Sequence, residues 1–252
     1  MLELVPADLG PGARGGFTTR AGGVSCGPYA AADGSGGLNL AFHVDDDEDR
    51  VLANRDLLDR WAGHHVAWMS QRHSAGVRLV TRPPGGGRAT LGEYDSLVGR
   101  RSGPDAPAVA VMVADCVPVL LAAPSGDVVA AVHVGRQGLV AGVVPATLAL
   151  LAAEGAVVPE LYASLGPSIC GRCYEVPAEM REDVARAVPA AHATTSWSTP
   201  ALDLPAGVAA QLAAAGVTRV QRVDLCTRED ERFYSYRRDG RTGRFVGVVA
   251  PA

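Results

Sequence analysis

The sequence predicts a single α/β (α+β) domain built on mixed β-sheets. Three observations carry this. Short Val-rich runs bounded by Pro, Gly and Asp alternate with longer stretches of helical period. No Pro/Gly/Ser-rich linker, internal repeat or low-complexity tract divides the 252 residues, so one domain is expected over 1–252. Hydrophobic residues make up 48% of the chain, enough to build a core without disulfide staples.

Residues 1–16 read as an edge segment, 17–25 as a strand entering a Gly turn, and the Gly-, Ala- and Asp-rich stretch 26–39 as a loop. The acids from Asp45 to Asp49 open a helix at about Asp46, where they suit the positive end of its dipole. Val51, Asn54, Leu57, Leu58 and Trp61 continue it at helical spacing. Strands are expected at 66–70, 77–80 and 94–98, the last carrying Asp95, with a turn-rich loop at 83–87. Three apolar runs follow, at 109–113, 117–122 and 128–132; Ala114-Asp115-Cys116 interrupts the first two and the third delivers His133. A helix is expected from 138 to 154, stopped by Gly155. A strand at 161–165 runs into Gly166-Pro167, and Pro177 suits the first turn of a helix reaching Val188. Residues 189–203 read as irregular and 204–215 as a helix. Strands at 218–225 and 244–249 flank an Arg-rich hairpin whose turn is Asp239-Gly240.

Composition removes several function classes. A net charge of −4 argues against a general nucleic-acid binder or a membrane-surface protein. All 23 basic residues are Arg, so Schiff-base, P-loop and Ser–Lys chemistries are excluded. The opening sixteen residues lack a long apolar core and read as no signal peptide. The longest apolar run, 106–124, is broken by Asp115 and Pro118 and reads as no membrane span. Five cysteines, an odd number without an export signal, are expected to be reduced in the cytoplasm.

An ionisable group at the end of a dry strand needs a partner, and Asp115, Cys116 and His133 all sit at such places. Taken singly, Asp115 is a turn residue and Cys116 a small core hydrophobe; together in one expected sheet they suggest a site. His73, Cys116 and His133 form a ligand set suited to a catalytic zinc with an open position, and copper(II) accepts the same donors. A metal-free alternative makes Cys116 the nucleophile, with His133 or His73 its base, oriented by Asp95 or Asp115. Cys170-x-x-Cys173 is half of a zinc ribbon whose second CxxC is absent, and reads as a structural pair. Of the four arginines in SYRRDGRTGR, Arg237 and Arg238 are candidate anion contacts, while Arg241 and Arg244 read as solvated.

The tracts TTRAGGVSCGPY, LNLAFHVDDD, QRHS, YDSLV, ADCVPVLL, VHVGRQGLVAGVV, LGPSICGRCYEV, DLCT and FYSYRRDGRTGR follow in order from about residue 17 to 249. In this order they resemble the YfiH-like laccase-domain family, whose members are also called multicopper polyphenol oxidases and purine nucleoside phosphorylases. The resemblance implies β-sheets packed between helices in one domain, and a metal-binding set carried over onto His73, Cys116 and His133. It implies phosphorolysis of adenosine, inosine, guanosine and 5′-methylthioadenosine, with adenosine deamination. Arg20 in TTRAGG, Asn39 in LNLAFH, Arg136, Arg237 and Arg238 are the candidate substrate-binding residues. The expected partners are a purine nucleoside and phosphate, with the chain a monomer or small homo-oligomer. Two departures stand out. The family's usual QVHG is QRHS here, which places Arg72 beside a ligand. The usual HAGWRG is HVGRQG here, with Arg136 in the Trp position and Gln137 in the Arg position.

For phosphorolysis the expected catalytic residues are Cys116, His73, His133, Asp115 and Asp95. Phosphate attacks the anomeric carbon, arginines hold it, and Asp115 or the metal site assists departure of the purine; in deamination Asp95 or Asp115 moves protons. Other readings of the same atoms are an amidase acting on a cell-wall precursor and a non-catalytic nucleoside-binding module. An oxidase reading is the weakest, because dioxygen reduction needs several clustered His pairs.

Overall fold

Two β-sheets lie face to face, with helices covering both outer faces. The structure is a computed structural model and describes residues 2, 4–103 and 106–252. The first sheet has four antiparallel strands in the order Leu4–Pro6, Ala13–Thr18, Phe245–Pro251 and Val109–Val113. The second has six, in the order Arg219–Arg222, Tyr162–Leu165, Val117–Ala122, Val128–Val134, Ser96–Arg100 and Val77–Val80. Its inner strands are antiparallel and its two outermost pairings parallel, so it is mixed, as expected.

The apolar runs have no polar alternation because both of their faces are buried. Along Val117–Ala122, Val117, Val119 and Leu121 face the helix side of the six-stranded sheet, while Leu120 and Ala122 face the other sheet. Along Val128–Val134, Ala130, Val132 and Val134 take the helix side and Val129 and Ala131 the inter-sheet side. Helices Val143–Ala153, Ala178–Ala187 and Leu204–Ala214 cover the six-stranded sheet. Helix Glu48–Ala62 covers the other sheet, with Leu58 and Ala62 packed on Ala110, Met112, Val246 and Val248. The expected α/β architecture with mixed sheets between helices is what folds. Among the described residues no helix is long and apolar enough to cross a membrane.

Several elements differ from the sequence reading. The expected 138–154 helix is two helices, Arg136–Ala141 and Val143–Ala153, broken where Gly142 adopts φ +85°. The irregular stretch 189–203 contains paired strands His192–Thr194 and Pro200–Leu202. The Arg-rich hairpin does not form. Tyr236–Asp239 is a short helix capped by the Ser235 side chain, and the segments expected as its two strands lie in different sheets. The expected 94–98 strand is displaced: Thr90–Glu93 and Ser96–Arg100 are the strands, and Asp95 falls between them because its backbone and side chain tie other loops.

Candidate active site

The interruption at Ala114-Asp115-Cys116 is where the chain passes from one sheet to the other. Val109–Val113 belongs to the four-stranded sheet and Val117–Ala122 to the six-stranded sheet. The crossing puts Asp115 at φ +104°, an unfavourable backbone state for a side-chain-bearing residue. Its carboxylate compensates by accepting hydrogen bonds from the Thr227 hydroxyl (2.7 Å), the Ser235 hydroxyl (2.7 Å) and the Arg237 N–H (2.7 Å). Ile169 N–H donates to the Asp115 carbonyl at 2.9 Å. Asp115 thus pins two distant loops to the sheet crossover, and its oxygens serve as acceptors.

Asp95 does the same for a second loop. It is fully buried and receives the backbone N–H groups of Arg72, His73 and Ser74, the Ser74 hydroxyl, and His133 Nδ1 at 2.8 Å. Three successive N–H groups form an anion-binding concavity that the chain fills with its own carboxylate. This holds His73 at φ +59°, a state uncommon outside glycine. Burial by itself would raise the Asp95 carboxyl, but the His133 hydrogen bond and those from Ser74 outweigh it and hold the group well below the ordinary carboxylate range. Asp95, expected as a proton shuttle, is absent from the cavity lining and lies behind His133.

His73, Cys116 and His133 meet in space, each from a different strand end. One ligand atom of each lies within 4.8 Å of the other two. His73 Nε2 is 3.6 Å from Cys116 Sγ, and the two imidazoles meet edge to face with centroids 4.7 Å apart. The approach requires Gly135: a Cβ there would stand 2.2 Å from His73 Cδ2 and 3.2 Å from Cys116 Sγ. Burial would push the Cys116 thiol up, but His133 and His73 draw it down to about 6. Burial would likewise lower His133, but Cys116 and Asp95 raise it to about 9. The donors fit a zinc-type centre: two imidazoles and a thiolate converge, and the His133 tautomer is fixed from behind by a carboxylate.

The trio opens into a cavity of about 600 Å³. Asp115, Tyr174, Tyr236, Arg72, Arg237 and Arg244 are among its lining residues. Arg237 donates to the Glu175 carbonyl at 3.0 Å and lies over the Tyr174 ring. Arg244 donates to the Thr242 and Gly243 carbonyls at 3.0 Å, which aims its guanidinium. It is half-buried in the cavity wall, not solvated as the sequence suggested; a cluster of arginines gives no sign of which one turns inward.

Four of the five expected substrate-binding residues lie outside the cavity lining, which takes in only Arg237 of the set. Arg20 donates to the Ala30 carbonyl and packs over Tyr234, away from the cavity. Asn39 is fully buried, and its amide bridges Ala41, Asp46 and Arg244. Arg238 spends its guanidinium on the Thr227 and Phe233 carbonyls and on Asp239. Arg136 is half-buried near Tyr174 but outside the cavity lining, and Gln137 is exposed. His43, Gln71, Met112 and Tyr174 also line the cavity, and no sequence signal marks them, because each reads as an ordinary loop or core residue.

The profile of a family described as multi-copper polyphenol oxidoreductase laccase matches residues 14–252. A purine nucleoside phosphorylase of Streptomyces coelicolor is 48% identical over 241 residues, 94% of this chain and 95% of the relative. One of Streptomyces griseus is 49% identical over 236 residues, 92% of each chain. A Neisseria meningitidis crystal structure superposes with a TM-score of 0.84 at 33% identity over 98% of both chains. YlmD from Geobacillus stearothermophilus does so at 0.83 and 31%, over 95% of this chain and 92% of that one.

Proposed function

This chain belongs to the multi-copper polyphenol oxidoreductase laccase family, and on that premise we propose that it is a purine nucleoside phosphorylase. The proposed reaction uses phosphate to cleave adenosine, inosine, guanosine or 5′-methylthioadenosine. One observation carries the reading beyond the relatives' names: a single cavity of nucleoside size joins the His73–Cys116–His133 centre to three guanidinia.

Arg237 and Arg244, with Arg72 at the rim, hold the phosphate and neutralise its charge as it approaches the anomeric carbon. Tyr174 and His43 give the purine apolar and aromatic surface, while Met112, Ile169 and Leu204 keep water from the reacting bond. A phosphate oxygen bonds to C1′ and the C1′–N9 bond breaks through an oxocarbenium-like state. The base leaves with the electron pair and gains the proton that hydrogenphosphate gives up. Asp115, an acceptor in all three of its side-chain hydrogen bonds, positions the wall and does not supply that proton. Asp95 orients His133 and the His73 loop. A zinc ion, or copper in its place, held by His73, Cys116 and His133 would supply Lewis-acid polarisation of the substrate atom that gains charge. Adenosine deamination is proposed at the same centre.

Purified protein of known metal content, given inosine or adenosine with and without phosphate, should release free base only when phosphate is present. Cys116→Ala should reduce release to background, with the fold intact by circular dichroism. No base release from metal-replete protein would overturn the phosphorylase reading. Inosine formation from adenosine that survives Cys116→Ala would remove deamination from this centre.

A further inference from the structure

A second group of soft ligands stands apart from the cavity. Cys170, Cys173, Cys226 and Glu229 each present one donor atom, all within 4.8 Å of one another. The sequence shows one CxxC and no second; the fold supplies the second half as Cys226-x-x-Glu229. Both are tight turns closed in the same way. Cys173 N–H donates to the Cys170 carbonyl at 2.9 Å, and Glu229 N–H to the Cys226 carbonyl at 3.1 Å. The turns are docked side by side: Ser168 pairs with Cys226 in a parallel bridge, and Cys170 N–H points at Cys226 Sγ at 3.4 Å. Two i, i+3 turns with a backbone N–H directed at a ligand sulfur form a knuckle that offers four donors to one ion.

We propose that Cys170, Cys173, Cys226 and Glu229 form a structural zinc site, separate from the His73–Cys116–His133 centre. A tetrahedral zinc with bonds of about 2.3 Å needs thiolates roughly 3.8 Å apart, and the four donor atoms here all lie within 4.8 Å of one another. Three thiolates and a carboxylate favour a thiophilic ion over magnesium or calcium. Cys173 Sγ reaches the Glu229 carboxylate at 3.3 Å. Arg172 reaches Glu229 at 3.7 Å from an exposed position and offsets part of the site's net negative charge once zinc is bound.

The site has a mechanical consequence. It clamps the 168–174 loop to the 225–230 loop. Ile169 and Tyr174 of the first line the cavity, and Thr227 of the second holds Asp115. The ion would secure one wall of the cavity without touching substrate.

Native mass spectrometry and elemental analysis of protein expressed with zinc test this directly. The expected stoichiometry is two zinc ions per chain. Cys170→Ser and Cys226→Ser should each remove one, Cys116→Ala should remove the other, and the double variant Cys116→Ala/Cys226→Ser should remove both. Cobalt substitution of Cys116→Ala should still give a sulfur-to-cobalt charge-transfer band, and adding Glu229→Gln should shift its d–d bands. Should the Cys variants fail to fold, the wild-type stoichiometry and the Glu229→Gln spectrum decide. A single zinc that vanishes with Cys116→Ala would overturn the proposal. So would a Cys170–Cys173 disulfide in folded, metal-replete protein, seen as the loss of two hydrogens.

Discussion

At the residue scale, the site is made by side chains that hold other side chains. Asp95 fixes His133 through its ring and His73 through its backbone. Removing its charge while keeping its shape should loosen both ligands at once. Asp95→Asn is expected to weaken zinc retention by about 10–100-fold, measured by competition with a chromogenic chelator; unchanged retention would show that the carboxylate does not support the centre. Cys116 gives a second expectation. In chelator-stripped protein its thiolate forms as pH rises through about 6, not through the ordinary value of 9.0. Iodoacetamide alkylation of Cys116 should therefore rise through pH 6 and level off above it, and zinc should protect the residue. A midpoint near 9 would mean that the two imidazoles do not stabilise the thiolate.

At the element scale, Val109–Val113 and Val117–Ala122 read clearly because they are buried on both faces, and they form at their expected bounds, as does the edge strand Val77–Val80. The helix after the acidic run begins at Glu48, with Asp47 as its cap accepting from Asp49 and Arg50 N–H. Asp47→Ala should cost about 1 kcal/mol in urea unfolding without changing activity, because Asp47 does not line the cavity. Elements shaped by side-chain ties were harder to read. The Arg-rich segment carried a hairpin signal in Asp239-Gly240, yet Ser235 caps a helical turn there and Arg238 bonds the surrounding carbonyls. The break at Gly142 was equally hidden, since a lone glycine in an apolar helical pattern is compatible with an unbroken helix.

At the scale of the whole molecule, the cavity sits where the two sheets exchange the chain. Its walls come from both sheets and from the 168–174 and 225–244 segments, so a bound ligand ties together parts far apart in sequence. Inosine with phosphate at about 100 times the dissociation constant should add roughly 2.7 kcal/mol to stability. For a chain of this size that raises the unfolding midpoint by about 5–10 °C in a thermal scan. Arg237→Ala should abolish the phosphate-dependent part of the shift and spare the nucleoside part. A shift independent of both ligands would remove them from this cavity.

The sequence by itself determined the class of fold and the chemistry available to it. Runs of Val too apolar for a half-exposed sheet required two buried faces, and His73, Cys116 and His133 stood at strand ends where soft donors could meet. Tertiary structure alone decided which arginines face the cavity. It turned Arg244 inward and spent Arg20, Asn39 and Arg238 on the scaffold, because residues of one type compete for the same loop carbonyls and only geometry ranks them. It also decided that Cys226 and Glu229 complete the CxxC, since a contact between Cys170 and Cys226, 56 residues apart, leaves no periodic mark in the chain.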